Sequence, residues 1–263
     1  MKAYVIPIET SCNAKCPFCI TRFKNEIDYG DRMSCVNVRR LPSQLSALKV
    51  DKIEITGGGE AFFHNDIDRI ITFCSSIAPT QIYTNGSKLA DHSYSLNLLS
   101  CLCISRCHYD DAKNRELMGI EPDEDFRDLD VPLKFSLVLC KSGINTASEI
   151  MRYLDWAMYN AGASKVVIRQ LFDYEPSITT DSYSDVRVKE YIGTASLIDD
   201  LGITNSHRIN DMGNVIFDYT DMDHNILEVE IERRACACEL FNPVLRANGK
   251  TYVGWSDKEW TTE

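Results

Sequence analysis

The sequence predicts an α/β protein: a partial (β/α)6 barrel with a small C-terminal α/β cap. Three observations lead there. Over the first two thirds of the chain, short β-branched apolar runs alternate with longer amphipathic stretches, the pattern of βα units around a parallel sheet. A cysteine-rich loop follows the first of those runs and a glycine-rich turn the second. After about Asp173 the rhythm changes to alternating runs separated by polar turns. With 263 residues and 44% hydrophobic content, the chain can bury one sizeable core.

Six strands are expected in order: Tyr4–Glu9, Lys52–Thr56, Gln81–Thr84, Leu102–Ser105, Leu133–Leu139 and Lys165–Leu171. Helices are expected between them at Ser43–Leu48 after Pro42, at Asn65–Ser76 and at Ala147–Ala161. In the last, Ile150, Leu154, Ala157 and Met158 recur at helical spacing. Ser184–Leu201 reads as one helix. Asn214–Tyr219 and Leu227–Glu232 read as antiparallel strands around Asp221–Asn225, and a second hairpin is expected over Val244–Trp255 across Asn248-Gly249. The division is therefore residues 1–180 as the barrel and 181–263 as a cap covering its mouth.

A formal charge of −11 and the lack of any Lys/Arg-rich block argue against a nucleic-acid partner, which needs clustered cations. A small molecule or a peptide is expected instead. No run approaches the roughly 18 apolar residues of a membrane helix, and Met1-Lys2-Ala3 does not open a signal-peptide layout, so the expectation is a soluble, cytoplasmic protein. Eleven cysteines in a reducing compartment point to metal or redox chemistry before disulfides.

Cys12, Cys16 and Cys19 stand in C-x3-C-x2-C spacing directly after the first strand, at the end where α/β barrels carry their chemistry. Three thiolates suit an iron–sulfur cluster, and would leave one iron of a [4Fe–4S] cubane without a protein ligand. Zinc is the competing reading, and it needs a fourth ligand. Cys35 is the nearest in sequence. Gly57-Gly58-Gly59-Glu60 ends the second strand, where glycines permit positive φ and close backbone approach to a ligand.

Together, the cysteine loop with Phe18 before its third cysteine and the Gly-Gly-Glu strand end about forty residues later resemble the radical S-adenosylmethionine superfamily, over about residues 1–173. The resemblance implies a [4Fe–4S] cluster on Cys12, Cys16 and Cys19 whose open iron is chelated by S-adenosylmethionine. It implies reductive cleavage of that cofactor to a 5′-deoxyadenosyl radical, with the electron brought by a reductant such as flavodoxin or ferredoxin. Phe18 would lie against the adenine, and Gly58, Gly59 and Glu60 would face the methionyl amino group. A third glycine, and Ala61-Phe62-Phe63 where many relatives have proline, depart from the commonest form.

Thr84-Asn85-Gly86 closes the third strand with an ending frequent in that superfamily, though Asn-Gly also turns for local reasons. Ser105 and Ser136 fall where relatives contact the cofactor's ribose or carboxylate. Arg169 interrupts an apolar strand, so it needs either a bound carboxylate or an internal acid. His108, in Arg106-Cys107-His108-Tyr109-Asp110 after the fourth strand, is a candidate for substrate contact or proton transfer.

Cys236 and Cys238 could contribute to a second cluster, donate a hydrogen atom (Cys238 being the candidate), or simply pack. Only these two cysteines follow Cys140, short of the four a complete second cluster needs unless Cys35, Cys103, Cys107 or Cys140 join them. The expected activity is hydrogen abstraction from a small molecule or peptide in biosynthesis or modification. Two rivals stand beside it: an activase that installs a glycyl radical on a partner protein, and a non-catalytic iron–sulfur or zinc module.

Overall fold

Period-two alternation in the short runs forms strands with one apolar face, and helices cover that face. The computed structural model describes residues 1–23, 29–120, 125–171, 181–201, 207–210, 213–232, 241–256 and 258–260. The strands, in chain order, are β1 (Lys2–Val5), β2 (Lys52–Ile55), β3 (Thr80–Thr84), β4 (Cys101–Ser105), β5 (Leu133–Val138), β6 (Lys165–Arg169), β7 (Arg208–Ile209), β8 (Val215–Thr220), β9 (Ile226–Ile231), β10 (Pro243–Leu245) and β11 (Thr251–Val253). The helices are α1 (Cys35–Leu48), α2 (Ile67–Ser75), α3 (Ser93–Leu96), α4 (Asp111–Met118), α5 (Ala147–Tyr159), α6 (Asp181–Glu190) and α7 (Thr194–Asp200).

Among the described residues all eleven strands join one sheet in the order β11-β10-β1-β2-β3-β4-β5-β6-β9-β8-β7. β1 to β6 are parallel neighbours in sequence order, as the six βα units predict. Both C-terminal hairpins form, and each attaches to an edge of this array. β9 pairs in parallel with β6 and β10 with β1, while β8 and β11 fold back antiparallel. The parallel region therefore extends one strand beyond the six at each side.

One face of the sheet is apolar and packs on the helices. Ala3, Val5, Ile53, Ile55, Ile82, Leu102, Ile104, Phe135 and Ile168 belong to one core with Val38, Leu41 and Leu45 of α1, Ile70 and Ile71 of α2, and Ile150 and Leu154 of α5. The alternate positions carry a different chemistry. Lys2, Glu54, Gln81, Tyr83, Cys101, Cys103, Lys134, Lys165, Arg169, Glu228 and Glu230 fall on the opposite face, which is the inner face of the open barrel. Buried charges persist there because they are paired. Lys165 Nζ meets Glu228 at 2.9 Å and Glu230 at 2.7 Å, and Glu54 meets Lys2 and Lys52 at 3.3 and 3.4 Å.

Two helix expectations change. α1 begins at Cys35, eight residues before the expected start, and contains Pro42. Ser34 caps it by accepting from the Asn37 N–H, and Val38, Leu41, Leu45 and Leu48 form its buried stripe. That stripe outweighs the backbone donor lost at proline. The single helix expected over Ser184–Leu201 is two, α6 and α7. Its break follows Glu190, whose carbonyl accepts from Lys141 N and whose carboxylate accepts from Ser142 N, docking the end of α6 on the loop after β5.

Candidate cofactor site at the strand ends

The loop after β1 is fastened from four sides. The Glu60 N–H donates to Ser11 O at 2.9 Å, and the Lys15 N–H to Met118 O at 2.7 Å at the end of α4. Asp31 receives both the backbone N–H and the hydroxyl of Thr10 and of Ser11. Burial works against its ionisation, but those four bonds prevail and hold the carboxyl at about 2. Glu9 forms a buried ion pair with Arg246, 2.9 Å, beyond the end of β10. Arg246 in turn lies 3.9 Å over the Tyr29 ring.

The three glycines after β2 serve close approach. A Cβ on Gly57 would stand 2.5 Å from Ile8 O; on Gly58 or Gly59 it would fall inside the van der Waals envelope of Glu9 O or Ser11 O. None of the three has positive φ. Their requirement is thus the apposition of this strand end to the Ile8–Ser11 backbone, so that the two motif segments run side by side.

Glu60 joins this pair to the third strand end. Its side chain is buried, with Oε1 accepting from the Thr84 hydroxyl at 2.7 Å and the Phe62 N–H at 3.2 Å, and Oε2 from the Asn85 N–H at 2.7 Å. Burial raises its pKa and these donors oppose the rise. The Asn85 amide reaches back to Asn13 Oδ1 at 2.8 Å and to Cys12 Sγ at 3.7 Å. Asn13 then donates to the Ser87 hydroxyl at 2.8 Å. The cysteine loop, the Gly-Gly-Glu strand end and the Thr-Asn-Gly strand end form one connected assembly.

The three loop thiols lie within electrostatic reach of one another. Burial raises the Cys12 pKa, with the charges of Glu60 and Cys19 adding to it, and burial with Cys19 and Cys12 pushes Cys16 up to about 12. These surroundings by themselves keep Cys12 and Cys16 protonated, and a bound cationic centre would reverse that balance. Among the described residues no three His, Cys, Asp or Glu side chains converge on a single-ion position. The donor set is all sulfur, which suits an iron–sulfur cluster, whose irons each take a separate ligand. Phe18 packs behind the loop with Cys107, Leu117, Met118, Cys140 and Leu171.

Ser105 and Ser136 are register partners on β4 and β5, side by side on the inner face. Arg169 meets an internal acid: its Nε donates to Glu232 at 3.1 Å, and its guanidinium stands 5.6 Å from the Tyr83 ring. His108 is buried, accepts from the Asp110 N–H through Nδ1 at 3.0 Å and stacks on Tyr109 at 4.4 Å. Burial lowers its pKa, so near neutrality it is the uncharged imidazole with its proton on Nε2. The adjoining Arg106, 2% exposed, is structural. It bonds His108 O, Tyr109 O and Asp111, and stacks 4.3 Å over Trp156. Cys236 and Cys238 lie outside the described residues.

Sequence reasoning missed Asp31, Glu9, Arg246 and the charged inner face. Alternation in Lys52-Ile-Glu54-Ile, Cys101-Leu-Cys103-Ile and Glu228-Val-Glu230-Ile was a legible signal for the last of these.

No protein-family model and no curated protein matches the sequence. Solved structures do match the fold. Streptococcus suis SuiB bound to S-adenosylmethionine aligns with a TM-score of 0.68 at 16% identity, covering 99% of this chain and 62% of that one. SuiB bound to the precursor peptide SuiA gives 0.59 at 20% identity, with 77% and 44% covered. Native anSMEcpe with bound AdoMet gives 0.52 at 12% identity, with 66% and 53% covered. The chain spans less than two thirds of the length of each protein, and the likeness is one of fold.

Proposed function

The chain has the radical S-adenosylmethionine fold, and from that premise we propose that it binds a [4Fe–4S] cluster through Cys12, Cys16 and Cys19 and uses S-adenosylmethionine to abstract hydrogen from a peptide. The observation that carries the reading is Glu60, which links Asn85, itself in contact with Cys12, to the glycine strand end. A zinc or electron-carrier module gives no reason for this three-way connection at the strand ends.

Cluster and cofactor together would supply one-electron cleavage of a sulfonium carbon–sulfur bond, and so an oxidant for a C–H bond. The protein's part is positioning and exclusion of water. Gly57, Gly58 and Gly59 carry no side chain where the strand end meets the Ile8–Ser11 backbone, which lets the glycine strand end and the cysteine loop flank one position for the cofactor's amino acid moiety. Asn85, Ser105 and Ser136 offer amide and hydroxyl groups along the same strand ends. Arg169, held by Glu232, presents a fixed positive charge nearby, and His108 offers an Nε2 proton to a substrate. Cys238 remains a candidate hydrogen donor, and a flavodoxin or ferredoxin the candidate reductant.

A peptide is favoured over a small molecule because SuiB is seen bound to the precursor peptide SuiA and anSMEcpe to the Cp18Cys peptide. No described helix is long and apolar enough to cross a membrane.

The test is anaerobic reconstitution with iron and sulfide, reduction with dithionite and addition of S-adenosylmethionine. The expected results are about four irons per chain and 5′-deoxyadenosine in the wild type, with both lost in Cys16→Ala. Iron loading without 5′-deoxyadenosine above the variant's background would leave an electron carrier and end the enzymatic reading.

A further inference from the structure

The inner face of the sheet holds a second group of thiols, at the end of the strands opposite the Cys12–Cys19 loop. Cys101 and Cys103 alternate on β4, so both side chains reach this face, and their sulfurs lie 3.9 Å apart. Cys101 opens the strand and is partly exposed, whereas Cys103 is buried. Register sets Cys103 between Tyr83 of β3 and Lys134 of β5. Lys134 Nζ also reaches Gln81 at 3.2 Å and the Tyr83 hydroxyl at 3.1 Å. Lys52 of β2 and Lys165 of β6 bring further positive charge, paired with Glu54 and with Glu228 and Glu230.

This setting divides the protons unevenly. The hydrogen bond from Cys103, then the charges of Lys134, Lys52 and Lys165, hold Cys101 below the ordinary thiol value against the opposing effect of burial. Burial and that same bond push Cys103 up. Cys101, at the N-terminal end of β4, is the more readily ionised sulfur, and Cys103 behind it holds its proton more tightly. A reactive cysteine needs such an electropositive, accessible position, and a resolving thiol within reach completes an exchange pair.

We propose that Cys101 and Cys103 form a redox-active dithiol that exchanges with low-molecular-weight disulfides. The Cys101 thiolate attacks one sulfur of R–S–S–R, the S–S bond breaks, and RS⁻ leaves with the proton given up by Cys103. The Cys103 sulfur then attacks Cys101 and expels the second RS⁻, which carries away the charge that Cys101 began with. Two electrons pass from the protein sulfurs to the disulfide, and an intrastrand disulfide remains. The sulfurs already lie 3.9 Å apart, but two residues of strand keep the Cα and the Cβ atoms about 6.6 Å apart, so closing the disulfide requires β4 to pinch locally and gives a strained bond of the labile, exchangeable kind. Oxidation removes the negative sulfur from beside three lysines, so the inner face becomes more positive. The site stands apart from the cluster loop and does not depend on the radical reading.

The test uses the full chain, purified anaerobically and treated with oxidised glutathione at pH 7, then alkylated and mapped by peptide mass spectrometry. The wild type should yield a Cys101–Cys103 peptide two hydrogens lighter than the dithiol and free of glutathione. Cys103→Ser should instead accumulate one glutathione on Cys101, at least about three-fold faster than the same variant unfolded in urea, the thiolate gain exceeding the loss of nucleophilicity. A Cys101 that stays alkylatable in the wild type, or that reacts no faster folded than unfolded in Cys103→Ser, overturns the proposal.

Discussion

Glu60 accepts the Asn85 backbone N–H at 2.7 Å, which ties the end of β2 to the end of β3 through a carboxylate only 2% exposed. With Thr84 and Phe62 also donating, every bond at this side chain is one it accepts. Glu60→Gln keeps the shape but turns one acceptor into an amide donor facing another donor. The loss of a buried, charge-assisted bond should lower stability by about 1–3 kcal/mol. Urea unfolding of the cluster-free protein reads this directly, and S-adenosylmethionine binding should weaken in the reconstituted variant. An unchanged midpoint would mean that Glu60 is not the link between the strand ends.

Gly58 and Gly30 separate two reasons for glycine. Gly30 has φ +70° but no atom within 4 Å of where a Cβ would stand, so Gly30→Ala should cost about 1 kcal/mol of backbone strain. Gly58 has ordinary φ but faces Glu9 O, and a Cβ has no room there. Gly58→Ala must part the two motif segments, at about 3 kcal/mol or more, and should lose iron loading where Gly30→Ala keeps it. Comparing denaturation midpoints and bound iron in the two variants decides the point; equal effects would contradict it.

Asp31 gives a pH dependence of defined sign. Its folded pKa of about 2 lies below the unfolded carboxylate value near 3.9. Its contribution to stability is therefore full above about pH 4 and fades as pH falls through 2. The stability difference between wild type and Asp31→Asn should be flat from pH 7 to about 4 and shrink below. Urea midpoints across that range test it. A difference that instead grew on acidification would reverse the assignment of Asp31 as an ionised clamp on Thr10 and Ser11.

The sequence made most of this architecture legible, for local reasons. Period-two runs gave β1 to β6 in order, and Asn248-Gly249 marked a hairpin that forms. Where those hairpins dock was not legible, because β10 beside β1 joins residues some 240 apart and no local pattern records such a pairing. Helix α1 was misjudged at its start because Pro42 imitates a first-turn proline, while Ser34 and the Val38–Leu41–Leu45 stripe held the better signal. At the site, Cys12, Cys16, Cys19 and Glu60 announced themselves by spacing, whereas Asp31 and Arg246 act through contacts to residues about 20 and 237 positions away, which carry no spacing at all.

Arg246 is the sharpest case of such a contact. Its guanidinium meets Glu9 at 2.9 Å with both side chains almost fully buried, and the rings of Tyr29, Trp255 and Tyr252 stand 3.9, 5.8 and 5.9 Å away. Glu9 lies three residues before Cys12, so a C-terminal hairpin anchors the base of the cysteine loop. Arg246→Met retains much of the volume but strands a buried carboxylate, at about 3–5 kcal/mol. Pairing it with Glu9→Gln removes the stranded charge and should recover a large part of that loss. A double-mutant cycle by urea unfolding measures the coupling. Iron loading should follow the same order: wild type, then the double variant, then Arg246→Met. Additive losses in the cycle would show that the Glu9–Arg246 ion pair does not couple the loop to the hairpin, leaving the β1–β10 pairing and the aromatic packing to hold them together.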